Sequence, residues 1–197
     1  METKRIVNVG VGGQGNLLAS NLLGMAALDA RLPVMVSEIH GMAQRGGVVE
    51  SAVILGLAFS PIVSQGEADI LVGFEPVETL RALNKCNSDT LVITNTRPLP
   101  PFTVAIGQAT YPDVSQALDL ARKKVKTLVA FDGQALAEKA QNPLSLNMVM
   151  LGALFAAADL GIPVKSIKKM IRRQGKQRFV AANLKAFDLG FKEVSGN

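Results

Sequence analysis

Tryptophan is missing from these 197 residues, and Cys, His and Tyr appear once each. With Cys86 alone there can be no internal disulfide, and the four thiolates that usually hold an iron–sulfur cluster cannot come from this chain. One Cys and one His also fall short of a structural zinc site. A disulfide-free chain fits the cytosol. The longest apolar stretch, Met148 to Ala158, is too short for the roughly 20 residues of a membrane span, so no membrane is expected. Met1-Glu2-Thr3-Lys4-Arg5 runs straight into a strand-like segment and glycines, so no signal peptide is expected either. Aromatics make up 5% of the chain and hydrophobic residues 48%, which implies an aliphatic core. With only 19% charged residues, disorder is excluded as the main state, because such a chain can bury enough surface to offset its ordering entropy.

The charge is uneven. Residues 165–197 hold nine Lys and Arg against two Asp and Glu, whereas residues 1–164 hold 12 against 14. A basic tail can meet an anionic ligand or an acidic partner, but a solvated helix face or a partner surface is the favoured reading of such a charge run. No nucleic-acid motif or aromatic stacking platform accompanies the charge, so nucleic acid is not expected.

Periodicity predicts strands at Ile6–Val9, Val34–Ser37, Val48–Leu55, Ala68–Phe74, Thr90–Thr94 and Thr127–Phe131, with a further short one at Thr103–Ile106. Helices are expected over Asn16–Ala30, Glu75–Leu83, Asp113–Lys124, Asp132–Lys139 and Ser145–Leu160, and over 164–174 and 177–189. The first 37 residues read as one βαβ unit. The fold class is α/β: a Rossmann-like, mostly parallel sheet with helices on both faces and a C-terminal helical arm. Residues 1–141 form the α/β part, and residues 142–197 a basic helical segment packed on the same domain.

Three groups of residues bear on chemistry. Gly10-Val11-Gly12-Gly13-Gln14-Gly15 follows a strand and opens a helix. Glycines permit a tight turn and close backbone approach, and a helix N-terminus offers free N–H groups to an anion. The same glycines also serve a turn needed only for packing. Glu38, 23 positions after Gly15, keeps a nicotinamide-dinucleotide reading open. The second group is the loop Glu38-Ile39-His40-Gly41-Met42-Ala43-Gln44-Arg45-Gly46-Gly47, which follows a strand and so should lie near the ligand crevice of an open sheet. Arg45 suits a carboxylate or phosphate, and His40, the one side-chain type whose ordinary pKa lies near neutrality, is read as catalytic or as simply held by loop hydrogen bonds. The third is Asn147 on an apolar helix, a buttress, a partner contact or a local cap. Cys86 is read as incidental, at a helix end on the far side of the sheet.

Taken together, Gly10–Gly15, Ser37–Gly47, Ala68-Asp-Ile-Leu-Val-Gly-Phe-Glu75 and Asn147-Met-Val-Met-Leu-Gly-Ala-Leu154 resemble the gamma domain of 2-oxoacid:ferredoxin oxidoreductases over about residues 4–190. The loop His40-Gly-Met-Ala-Gln-Arg-Gly-Gly47 favours the indolepyruvate branch and its small (beta) subunit, because pyruvate-type relatives tend to carry Tyr-Gly-Pro-Glu-x-Arg-Gly-Gly there. The resemblance implies conversion of an aryl-2-oxoacid, coenzyme A and oxidised ferredoxin to aryl-acetyl-CoA, carbon dioxide and reduced ferredoxin. It also implies that thiamine diphosphate and iron–sulfur clusters belong to a large partner subunit, with no cofactor on this chain alone. Coenzyme A binding through the glycine turn or the basic tail is an expectation. So is a set of binding residues comprising Gly10, Gly12, Gly13, Gln14, Gly15, Glu38, His40, Gly41, Gln44, Arg45, Gly46, Gly47 and Asn147. A free-standing NAD-binding enzyme and a non-catalytic scaffold are the alternatives.

Overall fold

A computed structural model of the chain describes residues 2–40, 47–101, 104 and 106–196. Six strands form one sheet: β1 (Lys4–Val11), β2 (Val34–His40), β3 (Val48–Leu55), β4 (Ala68–Gly73), β5 (Cys86–Asn95) and β6 (Thr127–Phe131). Seven helices accompany them among the described residues: α1 (Asn16–Asp29), α2 (Pro76–Arg81), α3 (Val114–Lys124), α4 (Gly133–Lys139), α5 (Leu146–Ala157), α6 (Val164–Gln174) and α7 (Val180–Ser195).

The strand order is β2-β3-β1-β4-β5-β6. Strands β1, β4, β5 and β6 pair in parallel, while β3 runs antiparallel to both β1 and β2. The opening βαβ unit is therefore split. Strands β1 and β2 point the same way but are not neighbours, because β3 returns from the end of β2 and inserts between them. Periodicity reads strands but not this insertion, which depends on long-range pairing.

Two layers of side chains cover the sheet. Ile6, Val53, Ile70, Val72 and Ile93 face a core shared with α1, α4, α5, α6 and α7. Val7, Val9, Ile54, Leu71 and Val92 face a smaller cluster that Ala82, Leu83 and Ala121 complete from the α2 and α3 side. The strand alternation sets this division, since successive side chains point to opposite faces. Helix α5 is buried along most of its length and lies under α7, where two glycines let the backbones touch. A Cβ on Gly152 would stand 2.0 Å from Phe187 O, and one on Gly190 2.0 Å from Val149 O.

A buried polar chain ties α1 to the sheet. Asn8 Nδ2 donates to Ser20 Oγ at 2.9 Å, the Ser20 and Ser51 hydroxyls share a bond of 2.6 Å, and Asn16 Nδ2 donates to Val49 O at 2.7 Å.

Three expectations need correction. Strand β5 begins at Cys86 rather than Thr90, so Cys86, which does close a short helical turn, is also a buried strand residue opposite Ala68. The chain leaves α2 through a short 3-10 turn, Ala82–Lys85, and enters the strand directly. At Thr103–Ile106, Val104 sits in a helical turn, its carbonyl accepting from Gly107 N at 3.0 Å; Thr103 and Ala105 lie outside the described residues. The long helix ends at Ala157 rather than Leu160, because the chain turns extended at Ala158.

Candidate functional site

The carboxyl ends of β1, β4, β5 and β6 form one rim. After β1 the chain crosses to the face of α1, and after β4 to the face of α2. Opposite departures open a crevice between the two strand ends, the usual ligand position of an open α/β sheet. Here the chain bridges that crevice itself. Gln14 Oε1 accepts from Val11 N at 2.8 Å, and Gln14 Nε2 donates to Phe74 O at 3.0 Å. The same carbonyl accepts from Asn95 Nδ2 at 3.0 Å, while Asn95 Oδ1 accepts from Gly133 N at 3.0 Å. Two side-chain amides thus lock four strand ends together.

Each glycine of the turn has its own reason. A Cβ on Gly10 would stand 2.9 Å from both Gln14 Oε1 and Phe74 Cβ. Gly15 has φ +77 and is packed against Asn147, whose Nδ2 would lie 2.5 Å from a Cβ there. Gly10 and Gly15 therefore serve close packing. Gly13, with φ +107, has no neighbour within 4 Å of a Cβ and faces open space. Gly12 donates its N–H to Gly47 O at 2.9 Å, which joins the glycine turn to the end of the second loop. Asn147 is the buttress: it is 5% exposed, its Nδ2 donates to Gly15 O at 3.3 Å, and its Oδ1 accepts from Met148 N at 3.0 Å.

A cleft of about 430 Å³ opens beside the turn, with Gly12, Gly13, Gln14, Asn95, Arg97 and Leu144 among its walls. Arg97 is engaged at its rim, with Nη2 2.7 Å from Asp132 Oδ2 and Nη1 2.9 Å from Glu138 Oε1. Helix α1 begins at the cleft with no capping side chain and no acid in its first turn. An uncapped helix start leaves its first N–H groups without intrahelical partners. Leu144 also lines a shallower depression shared with Leu18, Asn147 and Phe179. The basic segment around Lys176 and Arg178 therefore approaches the same end of α1.

Glu38 does not take the ribose position of a dinucleotide fold. That position requires β2 beside β1, but β3 lies between them, and Glu38 Oε1 instead accepts from Asn21 Nδ2 at 3.3 Å. His40 closes β2, with its backbone opposite Val49. Gly41, Gln44, Arg45 and Gly46 lie outside the described residues.

Other rim residues are not among the expected binding residues. Glu75 is 1% exposed and caps α2: its Oε2 accepts from Val77 N at 2.7 Å and Glu78 N at 3.0 Å. Its Oε1 accepts from Leu99 N at 3.2 Å and from the Tyr111 hydroxyl, whose own pKa is raised by burial and by the Glu75 carboxylate. Glu75 and Asn95 share a positional signal, each being the polar residue at or just past the end of an apolar strand.

A family model described as pyruvate ferredoxin/flavodoxin oxidoreductase matches residues 5–193. The chain belongs to this family. Among its curated relatives, indolepyruvate oxidoreductase subunit IorB of Pyrococcus horikoshii is 42% identical over 194 residues, covering 98% of this chain and 96% of that protein. The protein of the same name from Archaeoglobus fulgidus is 39% identical over 192 residues, covering 97% and 96%. The keto/oxoacid ferredoxin oxidoreductase gamma subunit of Geobacter sulfurreducens shares the fold with a TM-score of 0.73 at 21% identity, covering 98% of this chain and 99% of that one. A 2-oxoglutarate:ferredoxin oxidoreductase from Magnetococcus marinus matches the whole chain with 32% of its own length, at a TM-score of 0.74 and 19% identity. In that protein the fold is one part of a longer chain.

The residues here do not fit the redox groups of such oxidoreductases. Cys86 is the lone thiol, and burial pushes it up to about 11, the reverse of what a thiolate ligand needs. No Gly-Asp-Gly with a downstream Asn-Asn pair, the thiamine-binding pattern, occurs in the sequence. None of the described helices is long and apolar enough to cross a membrane.

Proposed function

We propose that this chain is the small subunit of an indolepyruvate, or aryl-2-oxoacid, ferredoxin oxidoreductase, inactive alone. The observation that carries the reading is near-full-length identity of about 40% to proteins of that name, within a family match to residues 5–193. The reaction is oxidative decarboxylation of an aryl-2-oxoacid to its aryl-acetyl-CoA, with ferredoxin as electron acceptor. Thiamine diphosphate and the iron–sulfur clusters belong to a large partner subunit. A lone, buried thiol fits a cytoplasmic protein.

This chain's own contribution is a binding surface for coenzyme A. The cleft presents the Gly12–Gly13 backbone and the Gln134 amide beside apolar Pro143 and Leu144. That mixture suits the pantetheine arm, which alternates amides with methylenes. The uncapped start of α1 suits its phosphates, as helix N-termini do for anions generally. Lys176 and Arg178 would add charge from the far side. Gly13 is the residue whose lack of a side chain keeps the cleft open.

The test is co-expression with a large thiamine-type subunit, followed by anaerobic, indolepyruvate- and coenzyme-A-dependent reduction of a viologen dye. Activity that needs both chains supports the subunit role. A stable complex inactive on every aryl pyruvate would overturn the substrate. For coenzyme A, calorimetric titration of the complex should show weaker binding with Gly13→Val; unchanged affinity there and in Lys176→Ala/Arg178→Ala would overturn the assigned cleft.

A further inference from the structure

A second cleft, of about 370 Å³, lies on the other side of the rim, between α2 and the proline-rich segment that follows β5. Val48, Val77, Leu99 and Tyr111 are among its walls, and Glu75, Glu78 and Arg81 supply its charge. Glu75 is saturated by the four donors described above. Glu78 is not. Its Oε1 receives Arg81 Nη1 at 2.7 Å, but Oε2 has no hydrogen-bond partner, alone among the buried side-chain oxygens and nitrogens of the described residues. The residue is 6% exposed. Leaving a buried carboxylate oxygen unpaired is costly, so natural structures rarely do so without a reason.

We propose that this cleft is a cation site: it takes a guanidinium or alkylammonium group on an apolar stem, toward which the Glu78 carboxylate, closed to solvent at Oε2, turns to accept its N–H donors. Three observations meet here. The two carboxylates outnumber the single guanidinium of Arg81, so the described lining keeps one negative charge. The free acceptor requires a donor. The aliphatic and aromatic walls require an apolar stem, since a bare hydrated ion would leave them wet. An anion would meet two carboxylates, and a wholly apolar occupant would strand Oε2. Burial and the neighbouring Glu75 charge hold the Glu78 carboxyl above its ordinary range, against the pull of Arg81. An incoming cation would reverse that direction.

The site does not depend on the oxidoreductase reading, and it is tested on the full chain with n-butylguanidinium as the probe and N-butylurea as its neutral counterpart. Carboxyl signals of 13C-labelled glutamate report on Glu78, assigned through Glu78→Gln. Butylguanidinium should shift that signal saturably, bind at least about tenfold more tightly than butylurea, and lose that advantage in Glu78→Gln. Arg81→Met removes an exposed competitor and should tighten binding. No shift of Glu78, equal binding of the two probes, or weaker binding in Arg81→Met would each overturn the proposal. The source of the natural cation is read in the complex with the large subunit. Loosening of the complex by butylguanidinium assigns the cleft to a Lys or Arg side chain of the partner, and probe binding without loosening assigns it to a free small cation.

Discussion

The two faces of the sheet are built differently. One carries five helices over an aliphatic core, with α5 and α7 in backbone contact through Gly152 and Gly190. Among the described residues the other carries α2, α3 and long connections, and the buried carboxylates Glu75 and Glu78 lie on that side. Apolar packing at backbone distance cannot adjust, because no side chain can rotate away. Hydrogen-bonded carboxylates and amides can exchange partners. The first face holds the fold, and the second face and rim hold the groups able to respond to a ligand.

The largest effect expected from that contrast is on the helical face. Gly190→Val would drive a branched side chain into Val149 O, a backbone atom fixed within α5. Overpacking usually costs 1–3 kcal/mol, and this case should reach at least about 3 kcal/mol because the helices themselves must part. Urea unfolding followed by circular dichroism would measure it. A cost below about 1 kcal/mol would mean the α5–α7 contact is softer than described.

On the other face, Glu75→Ala strands four donors at once: two at the start of α2, one at Leu99 and the Tyr111 hydroxyl. Lost capping and lost satisfaction together should cost about 2–4 kcal/mol. The loss should come with faster amide exchange at Leu99, since Glu75 is what ties that connection to the sheet. A stability loss without faster exchange there would show that the loop is held by packing instead.

Between the faces sits the glycine turn, where a double-mutant cycle separates backbone strain from contact. Gly15→Ala should cost about 1–2 kcal/mol for the left-handed conformation, plus a clash with Asn147. Asn147→Ala alone should cost about 1 kcal/mol. If Asn147 is the obstacle, the double variant will lose less than the two singles added.

The same contrast explains what the sequence discloses. Strand β3 and helices α3, α4 and α6 are legible because each has local signals: alternating or continuous apolar runs, Asp113 and Asp132 as caps, and Pro163 before α6. The glycine turn is legible as a motif, and its context between strand and helix is local too. What is not legible is anything set by pairing across the chain. The insertion of β3 between β1 and β2 separates Glu38 from β1, and no property of residues 1–40 announces it. The roles of Glu75, Asn95 and Tyr111 depend on contacts 21 to 38 positions apart. Gln14 appears in the motif, yet its function as the bridge to Phe74 is visible only in three dimensions.

The smallest effect is a test of the unpaired carboxylate by pH. Burial raises the Glu78 carboxyl above its ordinary value of 4.5, with Glu75 adding to the shift and Arg81 opposing it. Between the unfolded and folded pKa values the folded state therefore binds more protons than the unfolded state, so stability falls as pH rises through that window. The contribution is fully present below the ordinary glutamate value and lost above the raised one. Asp29, Asp113 and Asp132 act the other way: their partners hold them low, and their contribution to stability is lost as pH falls. Glu78→Gln should cancel only the opposing contribution. The variant should gain about 1 kcal/mol at neutral pH, where the charge is buried without a second partner, and gain nothing near pH 4. A gain of equal size at both pH values would point to packing rather than charge. A loss at neutral pH would mean that the Arg81 pair outweighs the unmet need of the buried Oε2, and that the cleft holds its carboxylate without help.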